Sequence, residues 1–146
     1  MGWFSTTKAP SSSDNFTKQE AFLAIALATS AVDGSIDESE AKGMFAYLLQ
    51  MRMFDGYTDN QMSDMFNKLL KILESEGVGG LVAIANSSLP DELCETAFAC
   101  AVDIALADGV IEDSEKDLLE ELQHVLDVSD EVGHQILDVM MIKNRS

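Results

Sequence analysis

A ten-residue segment of this chain occurs twice, and that duplication constrains the fold more than any other feature. Ala31-Val32-Asp33-Gly34-Ser35-Ile36-Asp37-Glu38-Ser39-Glu40 returns as Leu106-Ala107-Asp108-Gly109-Val110-Ile111-Glu112-Asp113-Ser114-Glu115, an offset of 75 residues. Asp, Gly, Ile, Ser and Glu are identical at matched positions, while Asp37/Glu112 and Glu38/Asp113 keep their charge. Such a repeat specifies a duplicated supersecondary unit before any local preference is considered. Each copy lies between a strongly apolar, Ala-rich segment and an acidic one, so each half is expected to be helix, tight acidic turn, helix. The predicted fold class is all-α, a bundle of roughly seven helices with an internal pseudo-twofold repeat.

Apolar residues recur at helical spacing from Phe16 onward, and Gly, Asp and Pro punctuate them. The pattern predicts helices near 17–32, 38–53, 59–75, 78–86, 91–107 and 113–126, then a last helix capped by Ser129 or Asp130. Met62, Met65, Phe66, Leu69, Ile72 and Leu73 form an amphipathic stripe that belongs in a core. Pro90 suits the first turn of the fifth helix. Gly77-Val78-Gly79-Gly80 lacks the following Lys-Ser/Thr of a phosphate loop and is expected to relieve packing between helices. Residues 1–15, with Pro10 and a Ser11-Ser12-Ser13 run, are predicted to be a flexible arm carrying Trp3 and Phe4. Residues 16–146 are predicted to be one domain, long enough to bury a core without disulfides.

With 9 basic and 26 acidic residues the formal charge is −17. Such a surface repels nucleic-acid phosphates and anionic lipid headgroups, and it favours cations and basic protein surfaces. Cys94 and Cys100 are too far apart along one helix for a disulfide, so both are expected as free thiols. His124 and His134 lack the thiolate spacing of a zinc site. No uninterrupted apolar run is long enough to span a bilayer, and no secretory leader is evident, so a cytoplasmic location is expected.

Two accounts of the repeated turn stand open on the residues alone. In the first, Gly34 and Gly109 supply the positive φ of a helix C-cap, and Ile36 and Ile111 fold back onto the preceding helix. Asp37 with Glu40 then makes a capping box at the next helix start. In the second copy Glu112 is a poor N-cap and Asp113 the more natural one, which leaves Glu112 and Glu115 without a structural duty.

In the second account the turns coordinate metal. Asp-Gly-x-Ile-Asp/Glu-x-x-Glu matches the latter half of a calcium-binding EF-hand loop, but Thr29, Ala31, Ile104 and Leu106 fall where its first carboxylates belong. A complete site therefore requires pooling Asp33, Asp37 and Glu40 with Asp108, Glu112 and Glu115. Oxygen donors without thiolates favour Ca²⁺ or Mg²⁺. Asp103 interrupts an apolar stretch and must face solvent, a base or a metal, which makes it a possible additional ligand.

The paired Asp-Gly turns, the acidic Ser/Glu cluster with its Lys, Phe54-Asp55 and Phe66-Asn67-Lys68-Leu69 together resemble the TerB tellurite-resistance family over most of residues 16–146. The resemblance implies an all-helical fold with internal twofold symmetry and clustered acidic residues that bind divalent metal. It also implies a cytoplasmic role in tellurite and stress resistance, alongside other Ter-type proteins. The motif carries over to Asp33, Glu40, Asp108 and Glu115, and less directly to Asp37 and Glu112.

The expected function is a non-catalytic, metal-binding acidic module that docks Ter-type stress proteins or another basic protein surface, reaching a membrane only through a partner. The alternative is a protein-interaction scaffold whose acidic turns are caps. Enzymatic use of the carboxylates is disfavoured, because the sequence offers no nucleophile with a base, no phosphate loop and no cofactor motif.

Overall fold

The computed structural model describes residues 16–32, 36–107 and 111–145. Among them every regular element is helical: α1 (Lys18–Ala31), α2 (Glu38–Leu49), α3 (Asp59–Ser88), α4 (Cys94–Leu106), α5 (Asp113–Val125) and α6 (Asp130–Lys143). The all-α bundle is as expected. The arm at 1–15 and the Asp-Gly steps Asp33-Gly34 and Asp108-Gly109 lie outside the described residues.

Six helices replace the expected seven because α3 joins two of them. Its halves correspond to the segments expected at 59–75 and 78–86, and they meet at Gly77, whose φ of 77° and ψ of 177° are non-helical. That conformation is essentially reserved for glycine. α2 ends earlier than expected, at Leu49, and a 3-10 turn over Arg52–Phe54 drives Phe54 into the core at 1% exposure. The fifth expected helix also starts late. Pro90, in extended backbone, precedes a 3-10 turn over Asp91–Leu93 that closes with Leu93 N–H donating to the Pro90 carbonyl at 2.9 Å.

α1, α2 and α3 each open with a reciprocal cap. Thr17 Oγ1 accepts from Glu20 N–H at 3.1 Å while Thr17 N–H donates to Glu20 Oε1 at 2.9 Å. Thr58 and Gln61 repeat this pair for α3, at 3.1 and 2.9 Å. Asp37 and Glu40 repeat it for α2, at 2.7 and 3.0 Å. Each box satisfies backbone donors that a helix start otherwise exposes. Ser129 caps α6 through Val132 N–H at 3.2 Å.

α1 is the central element. Every residue from Ala21 to Thr29 is buried, an all-round burial that only a helix enclosed by others can accept. Thr29 Oγ1 is satisfied within the helix by donating to the Ile25 carbonyl at 2.8 Å. α1 packs chiefly on α3 and then on α4, and α4 packs in turn on α6 and α5. The expected stripe of α3 does face the core, with Met62 and Leu69 fully buried and Met65, Phe66, Ile72 and Leu73 packed at its margin. Ile36 and Ile111 also lean on the core, as a helix-turn-helix fold-back requires.

α6 is the most peripheral helix. Val132, Ile136, Leu137 and Met140 lie half-buried against the core, and Gly133 alone is fully buried. A Cβ at Gly133 would stand 2.9 Å from Gln123 Cδ, the end of a flexible side chain that would have to shift to admit it. Val139, Met141 and Ile142 are each more than half exposed.

Candidate functional site

The ends of α1 and α4, the starts of α2 and α5, and the last turn of α6 enclose a cavity of about 400 Å³. Glu40 and Glu115, the matched final residues of the two repeat copies, both line it, and so does Asp103. Among the described residues that line it Lys143 is the one cation, so three carboxylates there face one ammonium. Met44, Ile104 and Ala107 supply apolar wall.

Helix geometry explains why Glu40 and Glu115 come to this cavity. Each is the third residue of its helix, and each turns its carboxylate back over the helix start. Glu40 Oε1 accepts from Asp37 N–H at 3.0 Å, and Glu115 Oε1 accepts from Glu112 N–H at 2.9 Å. Glu112 is therefore the N-cap of α5, not Asp113, which is the first helical residue. The expectation that Glu112 and Glu115 have no structural duty is corrected. The register of the repeat overrides the intrinsic weakness of Glu as a cap; Glu115 is 8% exposed, whereas Glu40, which makes the matching bond, is exposed. A capping bond does not exhaust such a group, since a carboxylate offers about four acceptor positions.

Asp103 is the deepest charge, at 3% exposure on α4. Of the options open to it, a base and two neutral donors take it. Tyr47 Oη donates to Oδ2 at 2.7 Å, Asn144 Nδ2 donates to Oδ1 at 2.7 Å, and Lys143 Nζ stands 3.2 Å from Oδ1. Burial works to raise its pKa, but the bonds from Asn144, Tyr47 and Lys143, with the Lys143 charge, outweigh burial and hold the carboxyl below its ordinary value. The same cluster acts on its neighbours. Burial, then the proximity of Cys100 and Asp103, pushes the Tyr47 phenol far above its usual range. Burial pushes the Cys100 thiol up to about 11, against the Tyr47 hydrogen bond and with the help of Asp103.

Of the seven carboxylates singled out in the sequence, Glu40, Glu115 and Asp103 share this cavity, while Asp37 and Glu112 sit at the caps beneath them. Asp33 and Asp108 lie outside the described residues. Among the described residues no three acidic, thiol or imidazole side chains already converge to hold a metal ion. Among the described residues the lining offers carboxylate, hydroxyl and amide oxygens and no thiolate or imidazole, the kind of donor that suits a hard cation.

Sequence reasoning did not identify Tyr47, Lys143 or Asn144 as the partners of Asp103. The usable signal was Asp103 itself, an isolated acid in an apolar helix that demanded a partner.

A second cavity, of about 650 Å³, lies between α4, α5 and α6. His124 and His134 both border it, and His134 Nδ1 is 2.9 Å from the Asp130 carbonyl oxygen. Cys94 and Cys100 are both free thiols. No helix among the described residues is long and apolar enough to cross a membrane.

Fold and cavity together define a class: a small all-helical acidic domain whose two capping carboxylates and one buried aspartate border a single pocket. The family model for tellurite resistance protein TerB matches residues 19–137, most of the chain, and the chain belongs to that family. Comparison with curated proteins and with solved structures finds no match.

Proposed function

We propose that this TerB-family chain is a non-catalytic acidic module that takes up a divalent cation, Ca²⁺ or Mg²⁺, at its paired turns and docks a protein partner there in tellurite and stress resistance. The observation that carries this is that Glu40, Glu115 and the buried Asp103 all line one cavity. Three carboxylates with one ammonium leave a negative field that a hard cation relieves. Asp33 and Asp108, from the same turns, are assigned as further ligands, and Asp37 and Glu112 as residues that set the turns. Bound metal would supply positive charge to order the acidic face. The partner is a basic surface on another Ter-type protein, with any membrane reached through that partner and nucleic acid not a ligand.

A second reading has its own observation. Glu40 and Glu115 both serve helix caps, so the turns would be structural and the charged surface alone would capture the partner. The double substitution Glu40→Gln with Glu115→Gln separates the two, because Gln closes a capping box as Glu does while removing the charge. Calorimetric titration with Ca²⁺ and Mg²⁺ should give saturable uptake by the wild type and none by the double variant. Absence of uptake by the wild type, with partner binding indifferent to chelator, would leave the scaffold reading.

A further inference from the structure

We infer that the outer face of α6 is a self-association surface, seating a second copy of this chain in antiparallel register about a two-fold axis between Val139 and Ile142. Among the described residues the large hydrophobic side chains left exposed are Val139, Met141 and Ile142, at 57%, 51% and 59%, all in the last turns of this one helix. Helical spacing accounts for their placement. Gly133, Leu137, Met140 and Asn144 recur at intervals of four, three and four residues and make the inward stripe, buried or half-buried. Gln135, Asp138, Ile142 and Arg145 fall on the opposite side and are all exposed, with Val139 beside Ile142. Asn144 Nδ2 at 2.7 Å and Lys143 Nζ at 3.2 Å from Asp103 Oδ1 hold the same turn to α4. The apolar patch is thus carried on an anchored helix end, where a free terminus would fray.

Charge selects the occupant. An acid precedes the patch and a base follows it: Asp138 lies one residue before Val139, and Arg145 three residues after Ile142. A second copy laid antiparallel, with its Ile142 opposite Val139, brings Asp138 of each chain within reach of Arg145 of the other. The two-fold repeats both contacts, which gives an apolar centre bracketed by two ion pairs, the core and rim that protein interfaces share. A parallel arrangement would set acid beside acid and base beside base, and like charges suppress it. Net charge also decides where two such chains can meet. At −17 most faces repel one another, whereas Lys143 and Arg145 put two of the nine basic residues at this end of α6 and offset that repulsion locally. Three side chains make a patch smaller than the ~800 Å² per partner of a stable interface, so the pairing is weak, reversible and filled at high concentration.

Sedimentation velocity of the full chain tests this at physiological salt, where a screening length of about 8 Å limits whole-chain repulsion. The weight-average mass should rise from monomer towards dimer as concentration is raised from micromolar to about 1 mM. Ile142→Asp puts a charge at the centre of the contact and should abolish the rise; the side chain is exposed, so helicity by circular dichroism should be unchanged. Asp138→Arg and Arg145→Asp each turn two attractive pairs into repulsive ones and should weaken association about tenfold, and the two combined should restore it. A patch that is merely adhesive gives no such rescue. Monomer at every concentration would overturn the inference and leave the patch to a different protein or another segment of this chain. Association that survives Ile142→Asp would overturn it by locating the contact elsewhere. Association lost in Ile142→Asp and not rescued by the double exchange would overturn the antiparallel register.

Discussion

The Tyr47 hydroxyl donates to Asp103 Oδ2 at 2.7 Å across 56 residues of sequence, tying α2 of the first half of the chain to α4 of the second. A hydrogen bond to a charged, buried acceptor contributes about 1.5–3 kcal/mol. Tyr47→Phe keeps the ring and deletes this bond, leaving Asp103 with Asn144 and Lys143. The expected outcome is a loss of about 2 kcal/mol of stability, read in urea unfolding as a lower midpoint with an unchanged slope. An unchanged midpoint would mean that the bond contributes nothing net.

Asp103 should also mark the acid limb of the stability curve. Its folded-state pKa lies below the ordinary carboxylate value, so the folded state holds its proton less tightly than the unfolded chain. This stabilisation is fully present above the unfolded pKa, about 3.9, and is lost as pH falls through the lower folded value. Asp103→Asn removes the titration. The stability gap between wild type and Asp103→Asn should be widest near neutral pH and narrow below pH ~4. A gap that stays constant through the acid range would exclude the linkage.

Much of this architecture was legible in the residues, and the illegible part has a common cause. Capping at Asp37 and Ser129, the core stripe of α3 and the break near Gly77 all arise from neighbours within a turn or two, where side-chain chemistry and backbone geometry meet directly. Glu112 was misjudged because an isolated Glu caps poorly, although its register against Asp37 carried the answer. The partners of Asp103 could not be read locally, because Tyr47 and Asn144 reach it from helices 56 and 41 residues away. The sequence could state that Asp103 needed a partner, not which one. Packing decided that.

Gly77 offers a test of backbone conformation free of packing. A Cβ there would meet nothing within 4 Å, yet φ is +77°. Gly77→Ala should therefore cost about 1–3 kcal/mol through conformational strain alone. Gly43 provides the contrast: it lies inside α2 with equally open space around its Cβ, so Gly43→Ala should stabilise by about 0.5–1 kcal/mol. Thermal melts of the two variants should move in opposite directions. Equal shifts would show that the Gly77 conformation is not enforced.

The two thiols should react in a fixed order. Cys100 is buried, its Sγ lies 3.8 Å from Met51 Sδ, and its pKa is pushed up to about 11, so it presents almost no thiolate near neutrality. Cys94 is only half-buried, although burial and nearby Asp91 push its pKa up too. Since the thiolate is the reactive form, both should alkylate slowly, Cys94 first and Cys100 only on unfolding. Mass spectrometry after timed alkylation reads the order directly, and equal rates in the native protein would contradict the burial.

Glu112 provides the sharpest check on the second turn. If it is the N-cap of α5, as its N–H bond to Glu115 Oε1 at 2.9 Å indicates, then Glu112→Asp should install the better cap already used by the first copy at Asp37. Good caps exceed poor ones by about 0.5–2 kcal/mol, and an existing carboxylate already captures part of that, so a gain of about 0.5–1 kcal/mol is expected. Asp113→Ala removes only an acidic group from the first turn, which favours the helix dipole by about 0.3–1 kcal/mol, and should be mildly destabilising. Under the opposite assignment, with Asp113 as the cap, Glu112→Asp would do nothing and Asp113→Ala would cause the larger loss. Chemical denaturation of the two single variants distinguishes these outcomes by sign at Glu112 as well as by size at Asp113.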